Sequence, residues 1–141
     1  MRKIICLLAM ALMIASVAFA DEMITTGNLP ALKGTWEGMI SWGVMGAANS
    51  NVRLEIFNDT VPVRARLTLS NVPDAVSVRI LGAMGGTQMI DNDEGEITTQ
   101  GTLMFVGASK NWMEFSMAKA NKLNGNFYVR GVKGDLTVFK K

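Results

Sequence analysis

Histidine is absent from this chain of 141 residues, and cysteine occurs once, at Cys6. Cys6 lies in a segment that we expect to be removed, so the mature chain would carry neither a thiol nor an imidazole. Such a chain forms no disulfide, lacks the usual ligands of zinc and copper(II), and has no cysteine or histidine for nucleophilic catalysis. We therefore expect a protein that is not an enzyme, with no catalytic residues, no metal site and no cofactor.

The sequence also has little net charge and, after its first 20 residues, no long apolar run. Two of its fourteen basic residues, Arg2 and Lys3, lie in the segment to be removed, which leaves twelve basic residues against twelve acidic ones. A near-neutral chain lacks the clustered lysine and arginine expected for binding nucleic acid or an anionic membrane surface. Without a second run of about 18 apolar residues, we expect no transmembrane segment.

The first 20 residues have the pattern of a cleaved signal peptide. Arg2 and Lys3 precede an almost unbroken apolar stretch over residues 4–19, and Ala18-Phe19-Ala20 has the small-x-small pattern of a cleavage site. We predict a signal peptide over residues 1–20, cleavage after Ala20, and a periplasmic or extracellular location. A secreted domain without disulfides depends on its core alone, which fits a bacterial periplasmic protein better than a small eukaryotic secreted one.

From residue 34 onward the apolar residues recur at every second position, which is typical of half-buried β-strands. Residues 21–33 are more polar, contain Gly27 and Pro30, and are predicted to be an N-terminal leader before a domain over residues 34–141. We count eight to ten short strands, about ten residues apart, with tight turns between them. This spacing indicates antiparallel connections, and the glycines favour a closed barrel over a sandwich. The predicted fold is all-β, a single antiparallel up-and-down β-barrel.

Several local elements follow from the same pattern. Val76, Val78 and Ile80 alternate with polar residues and predict a strand, and residues 87–90 and 96–99 predict two strands that flank an acidic turn. The remaining predictions are turns at Asn124-Gly125-Asn126 and Lys133-Gly134, and a helical turn within residues 117–123 as the only candidate helix.

The segment Leu32-Lys33-Gly34-Thr35-Trp36-Glu37-Gly38 resembles the Gly-x-Trp start of lipocalin-like (calycin) barrels, and residues 131–138 resemble the last hairpin of such barrels. The resemblance implies that Trp36 closes one end of the barrel beside a basic residue from a late strand, either Arg130 or Lys140. The Thr-Asp-Tyr motif of true lipocalins is missing, so the resemblance implies an architecture and not a ligand.

The acidic segment Asp91-Asn92-Asp93-Glu94-Gly95-Glu96 invites interpretation as a calcium loop. Such a loop needs a glycine at its sixth position and a glutamate at its twelfth, whereas here the glycine is fifth and the twelfth residue is Thr102. A charged hairpin tip is the favoured interpretation. Glu37, Glu55 and Glu114 show no spacing that indicates an acid–base pair for sugar chemistry.

Methionine is the enriched residue, and it suggests an apolar binding surface. Copper(I) binding would need clustered thioethers, whereas the methionines are scattered and mostly fit a core. Met45 and Met84, however, each lie among glycines in similar loops, Gly43-Val44-Met45-Gly46 and Gly82-Ala83-Met84-Gly85. If both loops lie at one mouth of the barrel, they form a lid over a ligand or a patch for a partner.

We therefore expect a non-enzymatic barrel that binds a small apolar or amphipathic ligand in its interior or at its mouth. An alternative is a protein-interaction barrel, such as an inhibitor or an envelope assembly factor, that uses exposed loops to bind another envelope protein. Whether the barrel is hollow or filled decides between them, because eight strands enclose a space that side chains alone can fill. The expected ligand-binding residues are Trp36, Trp42, Met45, Met84, Trp112 and Phe127.

Overall fold

The computed structural model describes residues 21–44, 47–81, 87–107 and 111–141. Within these residues the chain forms a closed barrel of eight antiparallel strands, each hydrogen-bonded to the next in sequence order. The predicted all-β up-and-down barrel is thereby confirmed. Among the described residues, no helix has the length and apolar character needed to cross a membrane. The strands are β1 (Gly34–Trp42), β2 (Ser50–Ile56), β3 (Val63–Ser70), β4 (Gln88–Ile97), β5 (Leu103–Val106), β6 (Trp112–Lys119), β7 (Lys122–Val129) and β8 (Val132–Lys140); the helices are α1 (Leu29–Leu32) and α2 (Asp74–Leu81).

The barrel closes where its first strand meets its last. β1 pairs with β8 from Trp36 opposite Lys140 to Trp42 opposite Gly134, while its other edge pairs with β2. Because each strand is antiparallel to the next, successive connections alternate between the two ends of the barrel. We call the end with residues 21–33 and the β2–β3 connection the strap end, and the end with α2 and the β1–β2 connection the helix end.

The interior of the barrel is tightly filled. Alternate residues of the strands point inward, as the sequence pattern predicts, and side chains such as Leu54, Leu67 and Phe115 have no exposed surface. No space large enough for a water molecule therefore lies against these side chains. Gly125 shows how close the packing is, since a Cβ there would lie 2.8 Å from Phe115 and 2.9 Å from Leu136.

Residues 21–33 form a strap across one end of the barrel. The Glu22 backbone N–H donates to the Met117 carbonyl at 2.8 Å, and the Ile24 N–H donates to the Gly101 carbonyl at 2.8 Å. Ile24, Leu29 and Leu32 are buried in the same core as the barrel side chains. The strap therefore extends the hydrophobic core, which matters for a domain held without disulfides.

Residues 74–81 are helical, so the predicted strand through Val76, Val78 and Ile80 is wrong. α2 buries Val76, Ser77 and Ile80, while Val78 is half exposed. Burial at positions i, i+1 and i+4 is the pattern of one helix face, and the alternation of valine and isoleucine matched a strand by coincidence. Asp74 in the first turn favours the helix start through the helix dipole.

The acidic segment is not a hairpin tip, because β4 runs without interruption through it. Pairing with β3 overrides the low strand propensity of these residues, and a bulge places one extra β4 residue between the pairs Ala65–Asn92 and Val63–Gly95. The bulge keeps Gly95 facing inward, where it makes room for the ring of Phe105.

Three other local predictions are also wrong. Residues 117–123 form the β6–β7 hairpin and not a helical turn, and Asn124-Gly125-Asn126 lies inside β7. Lys133-Gly134 lies inside β8, and the β7–β8 turn is at Arg130-Gly131, where both residues have positive φ. Inward-facing Leu123, Phe127 and Val129 keep the strand continuous where the turn-forming residues predicted a break.

Candidate functional site

β4 and β5 pair over a short length only, which leaves a gap in the wall of the closed barrel among the described residues. β4 pairs with β3 from Gln88 to Gly95, but it pairs with the four-residue β5 only through Gly95, Glu96 and Ile97. Within the described part of the chain, residues 88–94 therefore have a strand neighbour on one side only. A pocket of about 290 Å³ opens in this gap, between β4, the β5–β6 connection and α2. We call it the lateral pocket.

The walls of the lateral pocket are apolar and reach the barrel core. Phe105, Met113 and Val129 line the pocket, and all three are members of the buried core. Ile80 of α2 covers it from the helix end, and Trp112 lines it from the outer side. These side chains come from four elements, β5, β6, β7 and α2, so the pocket is built by the tertiary fold.

Trp112 is held in place by an aromatic neighbour. Its indole stacks on the ring of Tyr128 with 5.8 Å between ring centroids and 16° between ring planes. The two residues lie opposite each other on β6 and β7, so the pairing of the strands produces the stack. Tyr128 itself does not line the pocket; it packs against the face of Trp112 and holds the indole in position.

Four polar residues form the rim: Asp91, Asn92, Asn111 and Arg130. The Asn92 side-chain oxygen accepts a hydrogen bond from the Glu94 N–H at 2.9 Å, and the Asn111 side-chain oxygen accepts one from the Arg130 N–H at 3.1 Å. Arg130 has the positive φ of the β7–β8 turn, at 48°. Backbone hydrogen bonds therefore fix the orientation of both amides.

Asp91 is bound on the outer face of the barrel by Arg66. The guanidinium donates from Nε to Oδ1 at 2.6 Å and from Nη2 to Oδ2 at 3.1 Å. These hydrogen bonds, together with the charge attraction, lower the pKa of the Asp91 carboxyl below its ordinary value and raise the pKa of Arg66. Asp91 therefore stays ionised at neutral pH, with much of its charge compensated by its partner.

Gln88 places a buried polar group beside the pocket. It is only 4% exposed, and within the described residues its side-chain oxygen has no hydrogen-bond partner. It lies on the inward face of β4, two residues before Ile90, which lines the pocket. A buried acceptor without a partner is uncommon because it loses its hydrogen bonds to water without replacement.

The structure distributes the residues expected to bind a ligand over three places. Trp36 lies fully buried at the strap end, where its indole N–H donates to the Leu32 carbonyl at 2.8 Å. Trp42 and Phe127 meet in the core in an edge-to-face contact, 5.7 Å between centroids, and the Trp42 N–H donates to Ser50 Oγ at 2.8 Å. Of these four residues, Trp112 alone lines the lateral pocket.

Met45 and Met84 lie outside the described residues. Their nearest described neighbours, Val44 and Ala47 for the first and Thr87 for the second, all lie at the helix end of the barrel.

Sequence reasoning missed most of the pocket. Strand alternation indicates that Phe105, Met113 and Val129 face inward, but it gives no sign that the wall opens beside them. The sequence pattern places Asn111 in a polar turn and Ile80 in a predicted strand, and it indicates Arg130 only as a candidate partner of Trp36. The short length of the apolar run in β5 is the one feature of the sequence that signals the gap.

The acidic segment carries no converging ligand set. Asp91, Asp93 and Glu94 are exposed and follow one another along an extended strand. Among the residues that the structure describes, no three acidic side chains come together as metal ligands would. The hypothesis of a calcium loop therefore has no geometric support from β4.

The strap end has the arrangement that the Gly-x-Trp resemblance implies. Of the two candidate partners, Lys140 lies over the Trp36 ring, with its nitrogen 5.8 Å from the ring centroid, whereas Arg130 is at the helix end. An eight-stranded antiparallel barrel is compatible with a lipocalin-like fold. Comparisons with protein-family models, with curated proteins and with solved structures found no match to this chain.

Proposed function

We propose that this protein is a non-enzymatic, lipocalin-like barrel of the periplasm or the extracellular space that binds a small apolar or amphipathic ligand in the lateral pocket. The observation that carries the proposal is the gap between β4 and β5, where an opening to the surface is lined by the half-buried Ile90 and Trp112 and reaches the edge of the core at Met113 and Val129. Concave apolar sites with a few polar groups at the rim are the common form of small-molecule sites.

The size of the pocket limits the ligand. A volume of about 290 Å³ is at the lower end for ligand pockets, whereas a closed apolar cavity of about 150 Å³ already holds benzene. The interior is filled beside Leu54, Leu67 and Phe115, which counts against a ligand inside the barrel, as the protein-interaction alternative expects, and leaves only the mouth, where the lateral pocket opens, for a small molecule. The pocket therefore suits one aromatic ring or a short alkyl chain. With roughly ten heavy atoms at about −0.5 kcal/mol each, the expected Kd is on the order of 0.1 mM.

Binding of 1-octanol to the mature protein, followed by amide chemical shifts in NMR spectra, tests the proposal. We expect saturable shifts at Ile80, Phe105 and Met113, and none at Trp36, which lies at the opposite end. Shifts confined to the Trp42–Phe127 contact, or no saturable shifts, would overturn the proposed site.

Two variants distinguish the contact of Trp112 with the ligand from its stacking on Tyr128. Trp112→Ala removes the wall and the stack with Tyr128, and it should weaken octanol binding about tenfold or more. Tyr128→Ala removes the same stack but leaves the indole that lines the pocket, so it is the matched control and should retain binding. Equal loss in both variants would mean that folding, and not the wall, determines the affinity.

The proposed location rests on the sequence of residues 1–20, which lie outside the described residues. The mass of the intact protein isolated from an envelope fraction tests it. We expect a chain that begins at Asp21. A chain in the cytoplasmic fraction that retains residues 1–20 would overturn this part of the proposal.

A protein partner is the second candidate function, and one observation favours it. The one-sided edge of β4 is flanked by Met89 and Val106, which are 65% and 56% exposed. An open strand edge beside exposed apolar side chains is a surface to which an extended segment of another protein can add. A photo-crosslinking residue at position 106 should then give a protein-sized adduct in cells, and one at Met39, exposed on β1, should not. Equal crosslinking at both positions would contradict this candidate.

A further inference from the structure

Among the described residues, the side-chain polar atoms of Asn92, Asn111 and Arg130 that have no hydrogen-bond partner at the rim of the lateral pocket are donors. We propose that the pocket selects amphipathic ligands whose head group is a carboxylate, held by the Arg130 guanidinium and by the side-chain NH2 groups of Asn92 and Asn111. This inference rests on the proposed function and adds the chemical class of the ligand to it.

The two asparagines present their NH2 groups because their oxygens are already used. Asn92 Oδ1 and Asn111 Oδ1 each accept from a backbone N–H, at 2.9 and 3.1 Å. A backbone N–H can only donate, so these bonds identify which side-chain atom is oxygen and which is nitrogen. Within the described residues, neither NH2 group has a hydrogen-bond acceptor. Each amide therefore offers two donors to a group at the rim.

Asn92 points its donor across the gap in the wall. A Cβ built at Gly107, on the β5–β6 side of the pocket, would lie 3.8 Å from Asn92 Nδ2 and 3.7 Å from the Asn111 carbonyl. The amide nitrogen of β4 and the chain around Asn111 are therefore close neighbours at the mouth. A carboxylate there can accept from both asparagines because its two oxygens diverge.

Arg130 supplies the positive charge. It lines the pocket, it is exposed, and in the described part of the chain its guanidinium forms no ion pair. The hydrogen bond from its own N–H to Asn111 ties the backbone of Arg130 to one of the other two donors. A planar guanidinium can donate two parallel N–H···O hydrogen bonds to the two oxygens of one carboxylate.

The acidic residues nearby limit the ligand to one negative charge. Both oxygens of Asp91 are bound by Arg66, so this rim residue attracts a second cation weakly. Asp93 and Glu94 line an adjoining surface depression, which shares Asp91, Asn92 and Gly107 with the lateral pocket. Their charges oppose an anion through solvent, where the interaction is screened. With one cation, Arg130, at the rim and two carboxylates nearby, a single carboxylate is a better fit than a multiply charged head group.

Three probes with the same alkyl chain test the inference: octanoate, 1-octanol and octylammonium, each titrated into the mature protein at pH 7 and low salt. We expect octanoate to bind about tenfold more tightly than octanol, and octylammonium to bind most weakly. Trp112 fluorescence and amide chemical shifts report the binding. High salt should reduce the preference for octanoate while it leaves octanol binding largely unchanged.

Substitutions at the rim identify which side chains cause the preference for octanoate. Arg130→Gln should reduce octanoate affinity about tenfold and leave octanol affinity unchanged, while Arg79→Gln, an equal charge change on α2 outside the pocket lining, should have little effect. Asn111→Asp keeps the acceptor for the Arg130 N–H but replaces the donors by a negative charge, so it should weaken octanoate and strengthen octylammonium.

The outcomes distinguish the inference from the function on which it rests. If octanol binds in the pocket but octanoate shows no preference, or if octylammonium binds best, the carboxylate inference is overturned and the ligand-binding proposal stands. If octanoate is preferred but Arg130→Gln and Arg79→Gln weaken it equally, the proposed contact is overturned. If none of the three probes binds in the pocket, both are overturned.

Discussion

Lys140 lies over the indole ring of Trp36, with its nitrogen 5.8 Å from the ring centroid, and the same nitrogen donates a hydrogen bond to the carbonyl oxygen of Ala31. Trp36 in turn donates to the Leu32 carbonyl. One cation from the last strand thus joins the first strand to the strap. The arrangement fastens the strap end of the barrel without a disulfide, through a cation–π contact and hydrogen bonds.

Lys140→Met should loosen this end of the barrel. Methionine retains much of the apolar stem but loses the charge, so the cation–π contact and the bond to Ala31 are removed. We expect the free energy of unfolding to fall by about 1–2 kcal/mol, with faster hydrogen exchange at the Ile24 amide, which bonds to Gly101. Lys133→Met, an exposed change on the same strand, is the control. An equal loss in both variants would contradict the role given to Lys140.

The helix end is held by a buried hydroxyl. Trp42 Nε1 donates to Ser50 Oγ at 2.8 Å, and the hydroxyl donates to the Asn71 carbonyl at 3.2 Å, which links β1, β2 and the segment before α2. Ser50→Ala leaves the indole N–H and the carbonyl without this partner, so the free energy of unfolding should fall by about 1–3 kcal/mol in urea denaturation. Ser41→Ala, an exposed change on β1, should have almost no effect. If Ser50→Ala leaves the free energy of unfolding unchanged, water has replaced the hydroxyl.

The sequence predicts the barrel well because inward and outward residues alternate along its strands. Val63, Ala65, Leu67 and Leu69 are all buried in β3, as the period of two requires. The same rule fails for α2, since Val76, Val78 and Ile80 alternate in sequence although a helix buries only the first and the last. Pro73 and Asp74 are the helix-start signals that the alternation concealed.

The pocket was beyond sequence reasoning for a different reason. The short apolar run of β5 signals a short strand, but whether β4 and β5 stay paired beyond Gly95 depends on how the two strands diverge in space. Trp112 was predicted as a ligand-binding residue because it is aromatic, and the structure places it at the pocket. Trp36 was predicted on the same ground, and the structure places it at the strap end. Residue type alone therefore does not separate a residue that lines a pocket from one that fills the core.

The Arg66–Asp91 pair should be visible in an acid titration. The hydrogen bonds and charge of Arg66 lower the pKa of Asp91, so the pair stabilises the fold above the ordinary carboxyl pKa, and this contribution is lost as pH falls through the lower pKa of the folded state. In Arg66→Gln the carboxyl should titrate at a higher pH, as measured by NMR of the side-chain carbon. Because the pair is exposed, the Tm at pH 7 should fall by at most about 3 °C.

Arg64→Gln is the control for this titration, because Arg64 lies two residues earlier on β3 and has no ion pair in the described residues. It should leave the Asp91 titration unchanged. If Arg64→Gln moves the Asp91 pKa as far as Arg66→Gln does, the general surface charge and not the direct contact causes the shift.

Gln88 should be a position where an apolar residue stabilises the protein. Its side-chain oxygen is buried without a partner among the described residues, which costs the folded state the hydrogen bonds that water supplies in the unfolded chain. Gln88→Met keeps a similar length and removes the polar group, so the free energy of unfolding should rise by about 1 kcal/mol. Gln100→Met, an exposed change in the β4–β5 turn, should give no such gain. A loss of stability in Gln88→Met would contradict this prediction and show that the side-chain oxygen is hydrogen-bonded in the folded protein.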